Sequence, residues 1–411
     1  MRFLYFLSIR VYPVVILLAS PFNKKAKQWI AGRRNWRKNF REKINPAEKH
    51  IWIHCASLGE FEQGRPLIER IKESAPDYKI VLTFFSPSGF ELRKNWPVAD
   101  YIFYLPADTI SNAFSFIEII RPSIVLFVKY EFWNNYISEI SGRNIPLYLV
   151  SGIFRPDQHF FKWYGRFFRN MLKKFTHIFV QDDRSVELLE GIGIRNVSIS
   201  GDTRIDRVRQ ISQEALDLLL IDKFRAGEKL FLAGSSWKED EEIISAYVNS
   251  DPGRMKWIFA PHEVEKSNIE RLEKLFKTSV VRYSQYTEAS SSARVMIIDN
   301  IGILASAYRY AYIAAIGGGF GKGIHNILEA ACWGVPVLFG PDYKDFKEAV
   351  DLIEKGGAFC YRNFSEFSSL MDKWLTDQNR YQSSSDIVTR YIKNNLGATE
   401  KILRIVLEKR Y

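Results

Sequence analysis

Short apolar runs that alternate with helical stretches constrain the fold of this chain more than any other feature. The first series of predicted strands comprises residues 50–55, 78–85, 101–105, 123–128, 145–150, 177–180 and 197–200. These runs lack polar alternation, and the segments between them carry helical spacing. Such strands are typical of a parallel sheet that helices cover on both faces, so the sequence predicts an α/β fold.

The same rhythm begins again after a charged stretch without predicted strands, near residues 205–228. The second series of predicted strands comprises residues 229–234, 256–260, 295–299, 311–318 and 335–340. A chain of 411 residues is too long for one ordinary core. We therefore predict two Rossmann-like doubly wound domains, 50–205 and 206–411, with ligands bound in an interdomain cleft. The last helical stretch, near 384–408, can pack back onto the first domain.

Residues 1–49 are predicted to be a membrane anchor and basic arm. Residues 3–22 are apolar but interrupted by Arg10 and Pro13, and twelve Lys or Arg against two Glu in residues 1–50 provide most of the net charge of +11. A helix of this length can just cross the hydrocarbon layer. A charge near its middle is costly, so spanning the membrane and lying in its interface both stay open. Positive charge after the apolar run predicts that the rest is cytoplasmic; the alternative is a buried core helix with a solvated tail.

The three cysteines, Cys55, Cys332 and Cys360, lie far apart in the sequence. They show no CxxC spacing and no nearby Cys/His cluster, which argues against a zinc site and against a disulfide framework. This pattern fits a reducing compartment. We also predict that the protein uses no metal ion and no cofactor.

A glycine-rich turn in the second domain is a candidate ligand site. Its glycines, at positions 317, 318, 319, 321 and 323, lie between a predicted strand and a helix predicted to start near His325 or Asn326. Exposed backbone N–H groups in such a turn suit a phosphate, but the spacing matches neither Walker A nor GxGxxG. Asn326 and Glu329 lie on one helical face, where the carboxylate could bind ribose hydroxyls; the alternative is a capping box.

Two further loops of the second domain follow predicted strands. In residues 232–243, Ser235 and Ser236 could cap a helix with an acidic first turn; the alternative is that the backbone of Gly234–Ser236 binds a phosphate. In residues 259–266, His262 follows a proline at a strand end that is expected to face the same cleft.

Three charged residues of the first domain also follow predicted strands: Glu60, Glu131 and Arg204. A carboxylate at such a position can take a proton from a sugar hydroxyl, and a cation can stabilise a departing phosphate. For each residue alone, helix capping or a salt bridge is the commoner explanation. Their coincidence at successive strand ends favours an active site.

Residues 159–175 mix basic and aromatic side chains without an acidic residue. On one helix, this composition suits anionic lipid or nucleic acid. Because the N-terminal arm already indicates a membrane, we predict an anionic lipid surface as partner and no nucleic acid. The alternative is a core helix with solvated lysines.

Seven motifs together resemble those of a known family: HCASLGE, TFFSPSG, KYEFWNN, SGIFRPDQ, SGDTRIDRV, AGSSWKEDEE and GGGFGKGIHNILEAACWGVPVLFGP. The chain is similar to the Kdo transferases of lipopolysaccharide synthesis, which move 3-deoxy-D-manno-octulosonic acid (Kdo) from CMP-Kdo to a lipid A precursor. The resemblance implies a GT-B fold and a metal-independent, inverting transfer. It also implies attachment to the cytoplasmic face of the inner membrane.

The resemblance further implies roles for individual residues. Glu60 corresponds to the base that deprotonates the distal glucosamine hydroxyl of the acceptor, and Glu131 and Arg204 correspond to positions that support the transition state. The positions that correspond to the CMP-Kdo site are Pro261, His262, Ile301, Gly302, Ile303, Asn326, Ile327, Leu328 and Glu329.

The chain departs from the family pattern at several of these motifs. His262 stands where an arginine is common, Tyr130 where a threonine is usual, and Arg204 where the family has a lysine. Lys322, in the glycine-rich turn, is a candidate to replace the missing positive charge of the arginine.

Two other functions remain compatible with the sequence. One is a GT-B enzyme that uses another sugar nucleotide, such as a UDP-hexose transferase or an epimerase. The other is a basic protein that binds membranes or nucleic acid without catalysis, against which the two glycine turns count.

Overall fold

The computed structural model describes residues 1–250, 253–321 and 323–408. The chain divides into two compact units: unit 1 comprises Met1–Arg207 and the segment that begins at Leu396, and unit 2 comprises Val208–Asn395. Each unit contains a sheet of seven strands in the described residues, and all strand pairs are parallel. The predicted α/β class with two doubly wound sheets is confirmed.

The sheet of unit 1 has the strand order β3-β2-β1-β4-β5-β6-β7. Its strands are β1 Lys49–Cys55, β2 Tyr78–Phe84, β3 Tyr101–Tyr104, β4 Pro122–Val128, β5 Leu147–Gly152, β6 His177–Val180 and β7 Val197–Ile199. The chain first builds the sheet outward from β1 to β3 and then returns to place β4 on the other side of β1. The loops after β1 and β4 therefore diverge, which is where sheets of this class bind ligands.

Helices cover both faces of this sheet, so its central strands are apolar on both sides. Trp52 and Val125 belong to the core on one face, while Ile53 and Leu126 belong to the core on the other. The helices of unit 1 are α1 Arg2–Ala19, α2 Lys24–Ala31, α3 Trp36–Lys43, α4 Leu58–Ser74, α5 Pro87–Arg93, α6 Ile110–Ile120, α7 Asn134–Gly142, α8 Arg166–Leu172 and α9 Asp183–Glu190. Helix α10, Thr203–Gln213, runs from unit 1 into unit 2.

The sheet of unit 2 has the order β10-β11-β9-β8-β12-β13-β14, so the loops after β8 and β12 diverge. Its strands are β8 Leu230–Ser236, β9 Lys256–Pro261, β10 Val280–Arg282, β11 Val295–Ile297, β12 Ile313–Ile316, β13 Val337–Phe339 and β14 Ala358–Cys360. Its helices are α11 Leu219–Arg225, α12 Lys238–Ser250, α13 Lys266–Glu273, α14 Leu304–Ala307, α15 Leu328–Ala331, α16 Lys347–Lys355, α17 Phe364–Thr376 and α18 Gln378–Asn394. The sequence did not predict β10 and β14, each of which has three residues at a sheet edge.

The C-terminal stretch predicted as one helix near 384–408 forms two. Helix α18 ends at Asn394 and α19, Ala398–Glu408, begins after Gly397, whose φ of +90° suits glycine. Asp206 accepts the backbone N–H groups of Gly397 and Thr399, both at 2.7 Å. This carboxylate fixes the start of α19 within unit 1, where apolar side chains of the helix join the core.

The basic and aromatic stretch 159–175 is not one helix, so that prediction is wrong. It forms a 3₁₀ turn, His159–Phe161, and then α8. Arg169 donates to the backbone carbonyls of Phe160 and Lys162, both at 3.0 Å, so this cation serves the local fold. Trp163, by contrast, is 92% exposed.

Helix α1 has two different apolar faces. Half-buried side chains recur on one face at helical spacing: Tyr5, Phe6, Ile9, Pro13 and Ile16. Exposed apolar side chains occupy the rest: Phe3, Leu4, Leu7, Val11, Val14, Val15, Leu17 and Leu18. Among the helices of the described residues, only α1 is long and apolar enough to cross a membrane. It has no fully buried residue, so the alternative of a buried core helix is wrong.

Candidate active site

Glu60, in the first turn of α4, and Glu131, in the loop before α7, follow two adjacent strands of unit 1, β1 and β4, where the chain direction across the sheet changes. Cys55 is the last residue of β1. Burial, and then the negative charges of Glu60 and Glu131, raises the pKa of the Cys55 thiol. The two carboxylates predicted from the sequence therefore lie close to the same strand end.

Glu60 forms a capping box at the start of α4. Its Oε2 atom accepts the backbone N–H of Ser57 at 3.0 Å and also contacts the Ser57 hydroxyl. The capping explanation of Glu60 is thus correct, but it uses one carboxylate oxygen in the described structure. A carboxylate has a second oxygen that can accept a proton, so capping and proton transfer are compatible.

Glu131 is buried, with 6% of its surface exposed. Its Oε2 atom accepts hydrogen bonds from His54 Nε2 at 2.9 Å and Trp133 Nε1 at 2.6 Å. Two N–H donors compensate the cost of burying this carboxylate. They also fix its orientation at the end of β4.

His54 belongs to a hydrogen-bonded chain that runs across β2, β1 and β4. Trp52 Nε1 donates to Thr83 Oγ1 at 2.8 Å, and the same hydroxyl lies 2.8 Å from His54 Nδ1. His54 Nδ1 also lies 3.1 Å from the backbone carbonyl of Thr83. Because a carboxylate accepts, the proton between His54 and Glu131 lies on Nε2, and His54 donates this hydrogen bond.

Sequence analysis missed this chain of side chains. His54 and Thr83 are direct partners in the parallel register of β1 and β2. Each is a polar residue in the last two positions of an apolar strand. That pattern was the available signal, but the pairing depends on the register between two strands, which the sequence does not state.

Arg204 forms an ion pair with Asp202 next to it in the chain. Its Nε and Nη2 atoms lie 3.0 and 2.6 Å from Asp202 Oδ2. Burial acts to raise the pKa of the Asp202 carboxyl, but the charge and hydrogen bonds of Arg204 outweigh it, and the pKa is lowered. The salt-bridge explanation of Arg204 is therefore correct for this pair.

The start of α10 follows the edge strand β7, but it contacts elements nearer the middle of the sheet. Thr203 donates to the backbone carbonyl of Gln63 in α4 at 2.6 Å. Its hydroxyl also lies 3.1 Å from the hydroxyl of Ser151, in β5. These bonds attach the Asp202–Arg204 pair to α4, the helix that has Glu60 in its first turn.

Three aromatic rings meet at the corresponding point of unit 2. Trp237 follows β8, His262 follows β9, and His325 follows the glycine turn after β12. His262 stacks on both other rings, with centroids 4.7 Å from Trp237 and 4.6 Å from His325. Trp237 Nε1 donates to His325 Nε2 at 3.0 Å. Burial, and then the nearby His262, lowers the pKa of His325 to about 4, so this imidazole is neutral near pH 7 and can accept that bond.

The glycines after β12 permit close packing as well as a turn. A Cβ on Gly319 would lie 2.7 Å from the backbone of Gly340, and Gly318 has a φ of +95°. The Gly318 N–H, predicted to be available for phosphate, instead donates to Asp240 at 3.1 Å. Burial raises the pKa of Asp240 to about 6.

The serines predicted to cap α12 do not cap it. The helix begins at Lys238, and Asp240 accepts the N–H of Trp237 at 3.0 Å. Ser236 lies in β8 and donates to Glu241 at 2.9 Å, while Ser235 has a φ of +50°. Asp240, in the first turn, therefore accepts the backbone N–H before the helix in place of the serines.

Asn326 and Glu329 are bonded to each other, but they do not form the predicted capping box, because the N-cap residue of α15 is Ile327. Asn326 donates to Glu329 Oε1 at 3.2 Å and accepts the N–H of Leu328 at 3.2 Å. The predicted helix start near His325 or Asn326 is wrong by two residues, because α15 begins at Leu328. Lys322, named above as a candidate cation, lies outside the described residues.

The other predicted CMP contacts lie in two loops of unit 2. Pro261 ends β9. Ile301, Gly302 and Ile303 precede α14, with Ile301 exposed and Gly302 at a φ of +103°. In the described part of the chain, no three His, Cys, Asp or Glu side chains are grouped as metal ligands. The absence of a metal from the reaction stays a prediction.

A family model described as 3-deoxy-D-manno-octulosonic-acid transferase (kdotransferase) matches residues 33–207. Residues 33–207 belong to the Kdo transferase family. The match includes Glu60, Glu131 and Arg204, and it covers unit 1 from residue 33 to Arg207.

Curated Kdo transferases are similar to this chain over most of its length. The Aquifex aeolicus enzyme is 28% identical over 82% of this chain and 89% of its own. The Rickettsia bellii enzyme is 24% identical over 99% of both chains. These similarities support a glycosyltransferase of Kdo in lipopolysaccharide synthesis.

Solved structures agree in fold at low sequence identity. A UDP-GlcNAc 2-epimerase from Neisseria meningitidis, bound to UDP-GlcNAc, has a TM-score of 0.63 and 18% identity, and covers 88% of this chain and 100% of its own. The Anabaena protein Alr3699/HepE in complex with UDP has a TM-score of 0.56 and 12% identity, with 88% and 100% covered. At such identities these structures indicate the fold alone.

Within the Kdo transferase domain, the structure therefore brings Glu60 and Glu131 to one strand end. It ties Arg204 to Asp202 and attaches that pair to α4. The residues that sequence analysis missed are those that hold the family positions in place, His54 and Trp133 above all.

Proposed function

We propose that this protein transfers Kdo from CMP-Kdo to the distal glucosamine hydroxyl of a lipid A precursor, without a metal ion and with inversion at the anomeric carbon. The observation that carries the proposal is the pair of carboxylates, Glu60 and Glu131, after adjacent strands of the Kdo transferase domain. A base and a fixed negative charge at one strand end suit a reaction that removes a hydroxyl proton and builds positive charge on a sugar.

In the proposed reaction, Glu60 accepts the proton of the glucosamine hydroxyl on its second carboxylate oxygen. The hydroxyl oxygen forms a bond to the anomeric carbon of Kdo as the bond from that carbon to the phosphate oxygen breaks, and CMP leaves with the electron pair. Glu131, fixed by His54 and Trp133, supports positive charge that develops on the sugar ring. Arg204 supports the departing phosphate.

The reaction itself tests the proposal. Purified protein in detergent should convert CMP-Kdo and a tetraacyl lipid A precursor into CMP and a lipid whose mass has increased by Kdo. The mass of the product also counts the Kdo units that are added. Release of CMP without a Kdo-lipid, with lipid present in excess, contradicts the proposed acceptor.

The proposed donor predicts a preference for cytidine. We propose that CMP binds at Pro261, His262, the turn 301–303 and residues 326–329. A site that pairs the cytosine amino group leaves its acceptor unpaired with uracil, so CMP should bind at least about tenfold more tightly than UMP or UDP. Calorimetric titration of the three nucleotides measures this ratio. Tighter binding of UDP would instead favour an enzyme of UDP-sugars.

We propose that α1 holds the protein on the cytoplasmic face of the inner membrane. The half-buried face of α1 packs on the rest of unit 1, and the Tyr12 ring lies 5.7 Å from the Trp29 ring. This packing favours a helix that lies in the membrane interface over one that spans the membrane. The exposed face provides apolar contact, and nearby Lys and Arg side chains suit anionic headgroups.

Leu18→Glu should therefore weaken binding to vesicles that contain anionic phospholipid by about tenfold or more, because it replaces lipid-facing apolar area by a charge. Leu219→Glu is a matched control, since Leu219 of unit 2 is 69% exposed and Leu18 is 70% exposed. Sedimentation with vesicles measures both variants. Equal binding by the two variants contradicts the anchoring role of α1.

A further inference from the structure

Helix α1 contacts the segment that carries Glu131 through a polar contact. The hydroxyl of Tyr5 accepts the backbone N–H of Asn134 at 2.9 Å and donates to the carboxylate of Asp108. Asn134 begins α7, three residues after Glu131. The N-terminal helix thus bonds directly to the end of the loop that holds the buried carboxylate.

Asp108 makes this contact more than a surface hydrogen bond. Its side chain is buried, and it accepts the backbone N–H groups of Asn135 at 3.0 Å and Tyr136 at 2.9 Å. Burial raises the pKa of the Asp108 carboxyl, although the bonds from Tyr5 and α7 act against the increase. Removing a donor from a buried acceptor is costly, so the Tyr5 hydroxyl helps to fix the first turn of α7.

A second link between α1 and the same segment is aromatic and runs through Phe85. The ring of Tyr12 lies 5.8 Å from that of Phe85, and Phe85 lies 4.8 Å from Trp133. Trp133 in turn donates its indole N–H to Glu131. Two adjacent residues after Glu131 are therefore linked to α1, Trp133 through the Phe85 ring and Asn134 by the Tyr5 hydroxyl.

We propose that Tyr5 is a positioning residue for Kdo transfer: when α1 lies on unit 1, the Tyr5 hydroxyl fixes the backbone after Glu131 and, through it, the Glu131 carboxylate. This inference rests on the proposed function, in which Glu131 supports the transition state. Since the opposite face of α1 is apolar and exposed, the helix that binds the lipid surface is also the helix that orders this part of the active site.

The test compares two tyrosines of α1 that lose the same atom. Tyr5→Phe removes the bonded hydroxyl and keeps the ring, which packs 5.5 Å from Phe167. Tyr12→Phe removes a hydroxyl from a side chain that is 43% exposed and keeps the ring against Phe85. The readouts are kcat and KM for CMP-Kdo with the tetraacyl lipid A precursor, vesicle binding, and hydrogen exchange of a peptide that covers residues 130–137.

We expect Tyr5→Phe to lower kcat about tenfold, since small displacements of reacting groups are costly. Its KM for CMP-Kdo and its vesicle binding should stay within twofold of wild type. Exchange in residues 134–136 should become at least about tenfold faster, because these amides lose bonded support. Tyr12→Phe should match wild type in every measurement.

Three results overturn the inference. One is a kcat for Tyr5→Phe equal to that of Tyr12→Phe; another is unchanged exchange in residues 134–136. The third is faster exchange throughout β1 and β4 as well, which indicates a general loss of stability. If the wild-type protein transfers no Kdo, the proposed function fails, whereas the exchange measurement still decides whether Tyr5 fixes this segment.

Discussion

Glu60→Gln should lower the rate of Kdo transfer by at least about a thousandfold while CMP affinity stays within twofold of wild type. General-base catalysis contributes about 10²–10⁴-fold, and an amide cannot take the hydroxyl proton. Glutamine at the third helical position can still accept the N–H of Ser57, so the capping box that Glu60 forms in α4 is kept. The substitution thus separates the two roles of this side chain.

Glu62→Gln provides the control on the same helix. Glu62 forms a partly exposed ion pair with Arg93 at 3.0 Å, and such pairs contribute about 0–1 kcal/mol. The transfer rate of the Glu62→Gln protein should therefore remain within about twofold of wild type. Rates are measured by release of CMP and by formation of the Kdo-lipid. A Glu60→Gln protein that retains full turnover would refute the base assignment.

Gly319→Ala should destabilise unit 2 by about 2 kcal/mol or more and weaken CMP binding. An added Cβ would lie 2.7 Å from the Cα and N of Gly340, where no flexible side chain can move aside. Overpacking of this kind typically costs about 1–3 kcal/mol. The loops after β12 and β13 must separate to make room for the added methyl group. The turn that carries the predicted CMP residues therefore shifts as well.

Gly321→Ala is the matched control, two residues further along the same turn. Among the described residues, a Cβ at Gly321 meets no atom within 4 Å outside its chain neighbours, and the φ of Gly321 is not positive. The two variants are compared by CMP titration and by the unfolding transition that CMP shifts, since a chain of two units need not unfold in one step. Equal stability and equal CMP affinity contradict the packing argument.

Much of the fold could be predicted because it depends on local patterns. Strands buried on both faces carry continuous apolar runs, and this signal was strong in the central strands of unit 1. It failed for Val280–Arg282 and Ala358–Cys360, which have three residues each and lie at the edges of their sheet. A different prediction, of one helix over residues 159–175, was wrong because Gly165 lies between two short helical segments.

The candidate site was predictable only in part. Glu60 and Glu131 follow strands, so their positions can be derived from strand order and from the resemblance of the motifs. The partners of Glu131 cannot, because His54 is 77 residues away and meets it only through adjacent strands. The same holds for Gly318, whose N–H is occupied by Asp240 from 78 residues earlier.

The sequence by itself therefore determined the two parallel sheets, the apolar N-terminal helix and the strand ends at which charged residues occur. These features follow from composition and period along the chain, which need no knowledge of distant contacts. Only the tertiary structure decided that His54 and Trp133 hold Glu131 and that the Gly318 N–H is already bonded to Asp240. It also decided that Tyr5 of α1 contacts the segment after Glu131. Those contacts depend on strand register and helix packing, and they bring together residues far apart in the chain.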